Sequence, residues 1–486
     1  MARLVIVSNR VPIPKARGTQ AGGLAVALRD LLMPGTMWFG WSGRLSAEPS
    51  LQPAQVEARG VTYATIDLTS DAYRGFYVGF ANGVLWPLLH FRLGLMQFRR
   101  EDYAGYLSVN RSFAESLGPL LQAEDTVWAH DYHLIPFGRL LREQGFTGPL
   151  GFFLHVPFVP PSMLEAMPVG RELVADLCAY DVVGFQTEEH ARDFRDCAQR
   201  LLGASVDGDR VKLNGRTMRA FADPIGIDAE SFAQEAERAA GDKLVQRLAG
   251  SLSGRALAIG VDRMDYSKGL PHRFEAYARL LEKHPEHRRR VHFLQICPRS
   301  REEVDEYRRL RAELDRLTGR VNGRFSEFDW TPLRYSTRAA PRATLAGLYR
   351  LSRIGVVTPL RDGMNLVAKE YVAAQDSEDP GVLVLSQFAG AANELDRALI
   401  VNPHETDAVA IALKRALEMA LPERRERHAT MLQRLMDWDI ETWAENYVSA
   451  LVESHPGGGI LDNIRSLFGI LSEQRSFATQ PSLASR

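Results

Sequence analysis

Nine short runs of this chain are apolar on both faces and are separated by helix-length stretches: Leu4–Ser8, Thr126–Ala129, Gly151–His155, Val182–Phe185, Ala256–Val261, Val291–Ile296, Ile354–Thr358, Val382–Ser386 and Ala398–Val401. A strand with one wet face alternates polar and apolar residues. Runs without that alternation predict strands buried on both faces, as in parallel βαβ units. Several runs end in, or lead shortly to, polar residues: Ser8-Asn9-Arg10, His130-Asp131, His155, Asp262-Arg263 and Arg361-Asp362. In open α/β sheets the ligand crevice lies outside the carboxyl ends of the strands. Polar groups gathered there predict a binding site.

At 486 residues the chain exceeds what one hydrophobic core normally holds. The strand–helix alternation breaks at 229–255, a stretch rich in Ala, Glu, Gln and Gly that follows the extended Pro224-Ile225-Gly226-Ile227. The expected organisation is two doubly wound, Rossmann-like α/β domains, residues 1–228 and 229–440, whose strand ends face each other across a cleft. Residues 405–453 read as consecutive helices; the helix within 441–455, bearing Trp443 and Tyr447, is expected to return to the first domain. The tail 456–486 opens with Pro-Gly-Gly-Gly, holds one amphipathic stretch and ends rich in Ser, Gln and Pro, so it is expected to be partly disordered.

Charge and cysteine usage narrow the function class. The 59 basic and 60 acidic side chains nearly cancel, which removes any global electrostatic case for a nucleic-acid or membrane-surface partner. No window approaches an uncharged apolar membrane span. Three scattered cysteines, Cys178, Cys197 and Cys297, fit neither a disulfide framework nor a zinc site, and a cytoplasmic protein is expected. Only seven of the 59 basic residues are lysines, so a lysine within a motif carries more information here than usual.

Two segments combine cations with helix starts. In Val261-Asp262-Arg263-Met264-Asp265-Tyr266-Ser267-Lys268-Gly269, a strand end places Arg263 and Lys268 five residues apart, a fork of donors and a mobile point charge suited to gripping a diphosphate. In the segment from Pro359 to Glu370, a strand runs into Arg361-Asp362-Gly363 and a helix starts at or near Asn365. Free N–H groups there can cap a phosphate, Glu370 can accept both hydroxyls of a ribose, and Asp362 precedes the helix where a sugar can be bound. Gly22-Gly23 opens a further helical pattern, where paired glycines allow close backbone approach to an anion or sugar. His130-Asp131 and His155 end two neighbouring strands, Tyr77 and Trp86 offer a sugar-stacking wall, and Arg299 and Arg301 add cations at another strand end. No metal site is expected, because no Cys or carboxylate partner recurs at ligand spacing. With no Walker loop and no nucleophile elbow, the pattern suggests transfer between phosphorylated small molecules.

Together these segments closely resemble the trehalose-6-phosphate synthases, retaining glycosyltransferases, over residues 2–453. The resemblance is carried by Val7-Ser8-Asn9-Arg10, Ala21-Gly22-Gly23-Leu24, His130-Asp131-Tyr132-His133-Leu134, Asp265-Tyr266-Ser267-Lys268-Gly269-Leu270-Pro271, Thr358 through Gln375, and Gly381 through Ala391. It implies the GT-B arrangement, an acceptor-binding first domain facing a nucleotide-sugar-binding second one. It implies UDP-glucose as the typical donor, glucose 6-phosphate as acceptor, no cofactor, no required metal and a homo-oligomeric enzyme in trehalose biosynthesis. By the resemblance, Arg263 and Lys268 hold the diphosphate and serve the chemistry, Asn365, Leu366, Val367, Ala368, Lys369 and Glu370 line the nucleotide, and Gly22 and Gly23 close over it. His155 and Asp362 would contact the transferred glucose, while Arg10, Tyr77, Trp86, Asp131 and Arg301 would hold the acceptor, the two arginines on its phosphate.

The chain departs from the family at the loop Pro12–Gln20 and at Ser336–Arg342, where Ala340 stands at a position commonly given to an aromatic residue against the base. Uridine, guanosine and adenosine donors are therefore all admitted. Three other readings share the scaffold: a sister enzyme using glycerol 3-phosphate, a sugar-nucleotide epimerase or hydrolase, and a silent sugar-phosphate sensor. Tyr77 and Trp86 favour a hexose phosphate over the first, Arg10 and Arg301 speak against the second, and the intact Arg263, Lys268, Asp362 and Glu370 speak against the third.

Overall fold

Each of the nine apolar runs forms a strand in the computed structural model, which describes residues 3–13, 28–29, 31–301 and 303–455. Gly22, Gly23, most of the loop after Pro12 and the tail 456–486 lie outside the described residues. The first lobe is built on β1 (Leu4–Arg10), β2 (Met37–Ser46), β3 (Ala54–Ala58), β4 (Val61–Thr69), β5 (Thr126–His130), β6 (Leu150–Leu154), β7 (Val182–Phe185), β8 (Ser205–Asp207), β9 (Arg210–Leu213) and β10 (Arg216–Ala222). The second is built on β11 (Ala256–Val261), β12 (Val291–Ile296), β13 (Leu333–Ser336), β14 (Ile354–Val357), β15 (Val382–Ser386) and β16 (Leu399–Val401).

Both sheets have the same winding. The first runs β3-β4-β2-β1-β5-β6-β7-β10-β9-β8, parallel from β4 to β10 with antiparallel strands at its two edges. The second runs β13-β12-β11-β14-β15-β16 and is parallel throughout. In each, the chain starts in the middle, winds outward, then returns to wind the other way, so that β1/β5 and β11/β14 are topological switch points. Their carboxyl ends are where a doubly wound sheet leaves a crevice. The central strands β1, β5, β6, β7, β14 and β15 are buried along almost their whole length, as runs without polar alternation require.

Residues 229–255 hold two helices, Ala229–Ala239 and Lys243–Leu252, and no strand. The chain passes between the lobes at Asp223–Ile227 and again at Trp438–Asp439. The two passages touch: Trp438 Nε1 donates to Pro224 O at 2.7 Å, and a Cβ on Gly226 would lie 2.3 Å from the Asp439 carbonyl. The last helix, Ile440–Glu453, then lies against the first sheet. Its Tyr447 hydroxyl sits 2.9 Å from Phe152 O and 3.1 Å from Val182 O, and its ring fills the room left by glycines in β6 and β7. An added Cβ on Gly151 or Gly184 would come within 2.6 or 2.8 Å of that side chain.

Candidate active site

The loop after β11 carries a buried carboxylate at the joint between lobes. Asp265 accepts the Ser267 backbone N–H at 3.0 Å, the Tyr307 hydroxyl at 3.2 Å and, from the first lobe, Trp86 Nε1 at 3.3 Å, and it pairs with Arg301 at 3.4 Å. Burial alone would raise its pKa. The charges of Arg301, Arg263 and Lys268 outweigh that effect and hold it well below the usual carboxylate range. The Arg301 guanidinium lies 4.0 Å from the centre of the Trp86 ring and that of Arg263 lies 5.4 Å from it, so one indole of the first lobe carries two cations of the second. Arg301 also donates to Tyr307 at 2.8 Å and, back across the cleft, to Tyr132 at 3.1 Å.

Tyr77 and Trp86 reach this joint from a widened helix. Residues Arg74–Leu85 wind as a π-helix, a form that costs regular hydrogen bonding and recurs at functional sites, before tightening at Trp86–Leu89. The Tyr77 ring stacks on His133 at 5.7 Å and on Tyr73 at 5.3 Å. Beside it opens a cavity of about 360 Å³ lined by Tyr73, Tyr77, Asn82, Arg299, Arg301 and Glu303. Arg10, exposed at the end of β1, lies 5.9 Å over Trp41, whose ring is 6.4 Å from Tyr77. Arg10 and Arg301 thus approach the same aromatic wall from two lobes. Asp131 has φ +77° and ψ 163°, a region that is almost glycine-only, and such strain persists only where the surroundings impose it. Burial pushes its carboxyl up to about 6, against two backbone N–H donors, Arg301 and Arg263.

On the donor side, Lys268 Nζ donates to Asp362 Oδ2 at 2.6 Å, and Asn365 Nδ2 donates to the same oxygen at 2.9 Å. Asn365, at φ +79°, caps the helix Leu366–Ala374 by accepting the Ala368 N–H. Leu366, Val367 and Glu370 are half-buried in that helix, and Ala340 is half-buried in the loop after β13. Ala368 is fully buried. Lys369 has a different task from the one expected of it: its ammonium is buried, 2.7 Å from Ile225 O and 2.7 Å from Glu394 Oε2, and binds the helix to the lobe crossing instead of facing a ligand. Burial raises Glu370 to about 7, with Arg342 opposing and Glu235 adding to the shift. Asp262 is occupied by the buried Arg273, which leaves Arg263 to the Trp86 face.

His155 closes the site from the first lobe. Its backbone N–H donates to Asp131 at 3.3 Å, and its ring nitrogens lie 3.0 Å from His130 Nδ1 and 3.3 Å from Gln186 Nε2. Burial lowers its pKa to about 3, so the ring is neutral. Across the cleft, Gly363 approaches so closely that a Cβ there would lie 2.1 Å from His155 O.

Residues 2–453 match the model of glycosyltransferase family 20. The chain belongs to that family. It is 48% identical over 459 residues to the trehalose-6-phosphate synthase of Sinorhizobium fredii, covering 93% of this chain and 99% of that protein, and 46% identical to that of Escherichia coli O157:H7 over 94% and 96%. A solved Burkholderia xenovorans trehalose-phosphate synthase (UDP-forming), in complex with glucose-6-phosphate, superposes with a TM-score of 0.90 at 48% identity, covering 93% of this chain and all of that one. The Escherichia coli enzyme bound with UDP-2-fluoro glucose superposes at 0.88 with 45% identity over 93% and 99%. The two facing parallel-sheet domains are the GT-B arrangement, and this family 20 chain is a glycosyltransferase.

In this glycosyltransferase several polar groups at the joint escaped sequence reasoning. Asp265 and Tyr132 stand inside segments that carry the family resemblance, yet nothing in their spacing marks them as partners of Arg301. Tyr307 and Asn82 lie in helices with no motif. His90 is buried with its ring 4.0 Å from Trp86, and burial lowers its pKa to about 4. Gln186 directly follows β7, and the strand-end rule that found His155 applies to it equally.

Proposed function

We propose that this chain transfers glucose from UDP-glucose to glucose 6-phosphate, with retention at the anomeric carbon, forming α,α-trehalose 6-phosphate and UDP. The observation that carries this reading is the joint around Trp86 and Asp265. There one buried carboxylate supports three cations at the cleft: Lys268, paired with Asp362 before the nucleotide-binding helix, and Arg263 and Arg301, both on the face of Trp86, with Arg301 also lining the aromatic cavity. The relatives whose titles include glucose-6-phosphate and a UDP-glucose analogue support the choice of substrates.

In this reading the bond from the glucose anomeric carbon to the diphosphate oxygen breaks as the acceptor's anomeric hydroxyl bonds to the same face of that carbon. The hydroxyl proton passes to the departing diphosphate. The protein positions the two sugars and stabilises the negative charge that grows on the leaving group. Arg263, Lys268 and the free N–H groups at the start of helix Leu366–Ala374 supply that stabilisation without a metal, Asp362 and His155 border the glucose, and Arg10 with Arg301 anchors the acceptor phosphate. Glu370 accepts from the ribose, and Ala340 borders the base. The enzyme is further proposed to act as a homo-oligomer in the cytoplasm; three buried free thiols are consistent with a reducing compartment.

Incubation with glucose 6-phosphate and, separately, UDP-, GDP- and ADP-glucose, followed by product identification, tests the reading. Trehalose 6-phosphate is expected, fastest with UDP-glucose. A chain that glucosylates glycerol 3-phosphate instead, or makes no disaccharide, is something else.

A further inference from the structure

The side-chain amide of Gln186 is oriented by the chain itself. Its Oε1 accepts the backbone N–H of Ile225 at 3.0 Å, and since that N–H can only donate, the other end of the amide is the NH2 group. This NH2 lies 3.3 Å from His155 Nδ1. It too can only donate, so Nδ1 holds a lone pair and the neutral ring keeps its proton on Nε2. His155 Nε2 lies 3.0 Å from His130 Nδ1, which must then accept and carry its own proton on the far nitrogen. Burial holds both rings in the neutral form that this logic requires.

We propose that Gln186 is a positioning residue for the transfer reaction: it fixes His155 as the Nε2–H tautomer and registers that ring against the lobe-crossing peptide at Ile225. The same crossing residue is held from the other lobe, where Lys369 Nζ donates to Ile225 O at 2.7 Å from the position next to Glu370. The Ile225 N–H therefore reports to the first lobe and its C=O to the second. The His155 backbone borders Gly363, the neighbour of Asp362. A rotation of the lobes that shifts Ile225 moves Gln186, and with it the ring that faces His130. With both nitrogens engaged, the ring has one orientation rather than two related by a flip.

Histidine-selective isotope labelling and ring-nitrogen NMR on the full chain test this, with the His155 signals assigned among the 12 histidines by their loss in His155→Asn. The wild-type ring is expected to show a protonated Nε2 and a bare Nδ1. Gln186→Glu keeps an acceptor for the Ile225 N–H but offers Nδ1 only a carboxylate, so the proton is expected on Nδ1. In that variant kcat is expected to fall about tenfold or more, with the KM for UDP-glucose within about threefold of wild type. A bare Nε2 in the wild type overturns the proposal whether or not the variant folds. So does a variant that keeps the wild-type tautomer, or one that reverses it at unchanged kcat. The kinetic arm rests on the function proposed above, whereas the spectra do not: the expected tautomers in a chain without glucosyl transfer would sink that function and leave the role of Gln186 in orienting His155 standing.

Discussion

Lys268 Nζ lies 2.6 Å from Asp362 Oδ2, and this half-buried ion pair joins the loop after β11 to the loop after β14. Burial raises the Asp362 pKa, but Lys268 first, and then His90 and Asn365, more than offset it, so the carboxylate is ionised across the neutral range. A diphosphate arriving beside Lys268 meets an ammonium already oriented by a partner, which limits the reorganisation left for the transition state.

Removing either diphosphate cation is expected to collapse turnover. Lys268→Ala and Arg263→Ala should each lower kcat by more than about 100-fold, the scale of losing one preorganised charge stabiliser. Steady-state release of UDP measures it. Near-normal turnover in both variants contradicts their place in the chemistry.

Arg301 makes directed bonds to Tyr132, Tyr307 and Asp265 with its guanidinium 4.0 Å from the centre of the Trp86 ring, a combination suited to a planar fork of donors. Arg301→Lys should raise the KM for glucose 6-phosphate by about tenfold or more, one lost charge-assisted contact being worth about 1.5–3 kcal/mol. The KM for UDP-glucose should move much less. Equal shifts in both constants would mean that Arg301 supports the joint as a whole and not the acceptor.

Donor affinity should depend on pH through Glu370. Its free-protein pKa is raised to about 7, and accepting two ribose hydroxyls requires the carboxylate. Lowering the pH protonates the group and removes the binding-competent form, so affinity falls on the acid side. At pH 6 about one molecule in eleven is ionised, which should weaken UDP binding about tenfold relative to pH 8. Calorimetric titration at the two pH values checks this, and Glu370→Gln should bind weakly at both with a flat profile.

Gly363→Ala places a methyl group 2.1 Å from the His155 carbonyl oxygen. The lobes or the loop must separate to admit it, at a cost of about 1–3 kcal/mol in urea unfolding. A displacement approaching an ångström between Asp362 and the opposite lobe should lower kcat by up to about 100-fold. Full activity in this variant would show that the close approach is incidental.

Tyr447→Phe removes a hydroxyl shared between Phe152 O and Val182 O, which lie in the middle of β6 and at the amino end of β7 and not at the carboxyl ends that form the crevice. Stability should drop by about 1–2 kcal/mol with turnover unchanged.

The central strands were readable because burial on both faces leaves an unbroken apolar run that needs no context. β2 and β4 escaped notice because β2 mixes Trp, Gly and Ser across an irregular pairing between Trp41 and Leu45, and β4, though largely buried, has its apolar run interrupted by Thr62, Thr65, Asp67 and Thr69. The edge strands β3 and β8, and β9 beside β8, are short and largely exposed, so no apolar signal exists to find. At the site, Arg263, Lys268 and Asp362 were legible from position at strand ends. The partner of Lys369 was not: a lysine at a helix start looks the same in sequence whether it faces a phosphate or reaches through the core to Ile225. Asp265 was likewise invisible as a hub, since its partners come from two distant segments, Trp86 in the first lobe and the stretch from Arg301 to Tyr307 in the second, which only the tertiary fold brings together.

The seating of Tyr447 against Gly151 and Gly184 also sets the order of assembly. The apolar groove over β6 and β7 is filled by residues that leave the ribosome some 220 positions after the first crossing at Asp223, so the amino-terminal sheet waits, unsealed, through the synthesis of the entire second lobe. A truncated chain ending at the crossing would present that groove to solvent and to its own copies. The two halves look separable by topology, yet the first is completed only by the last helix.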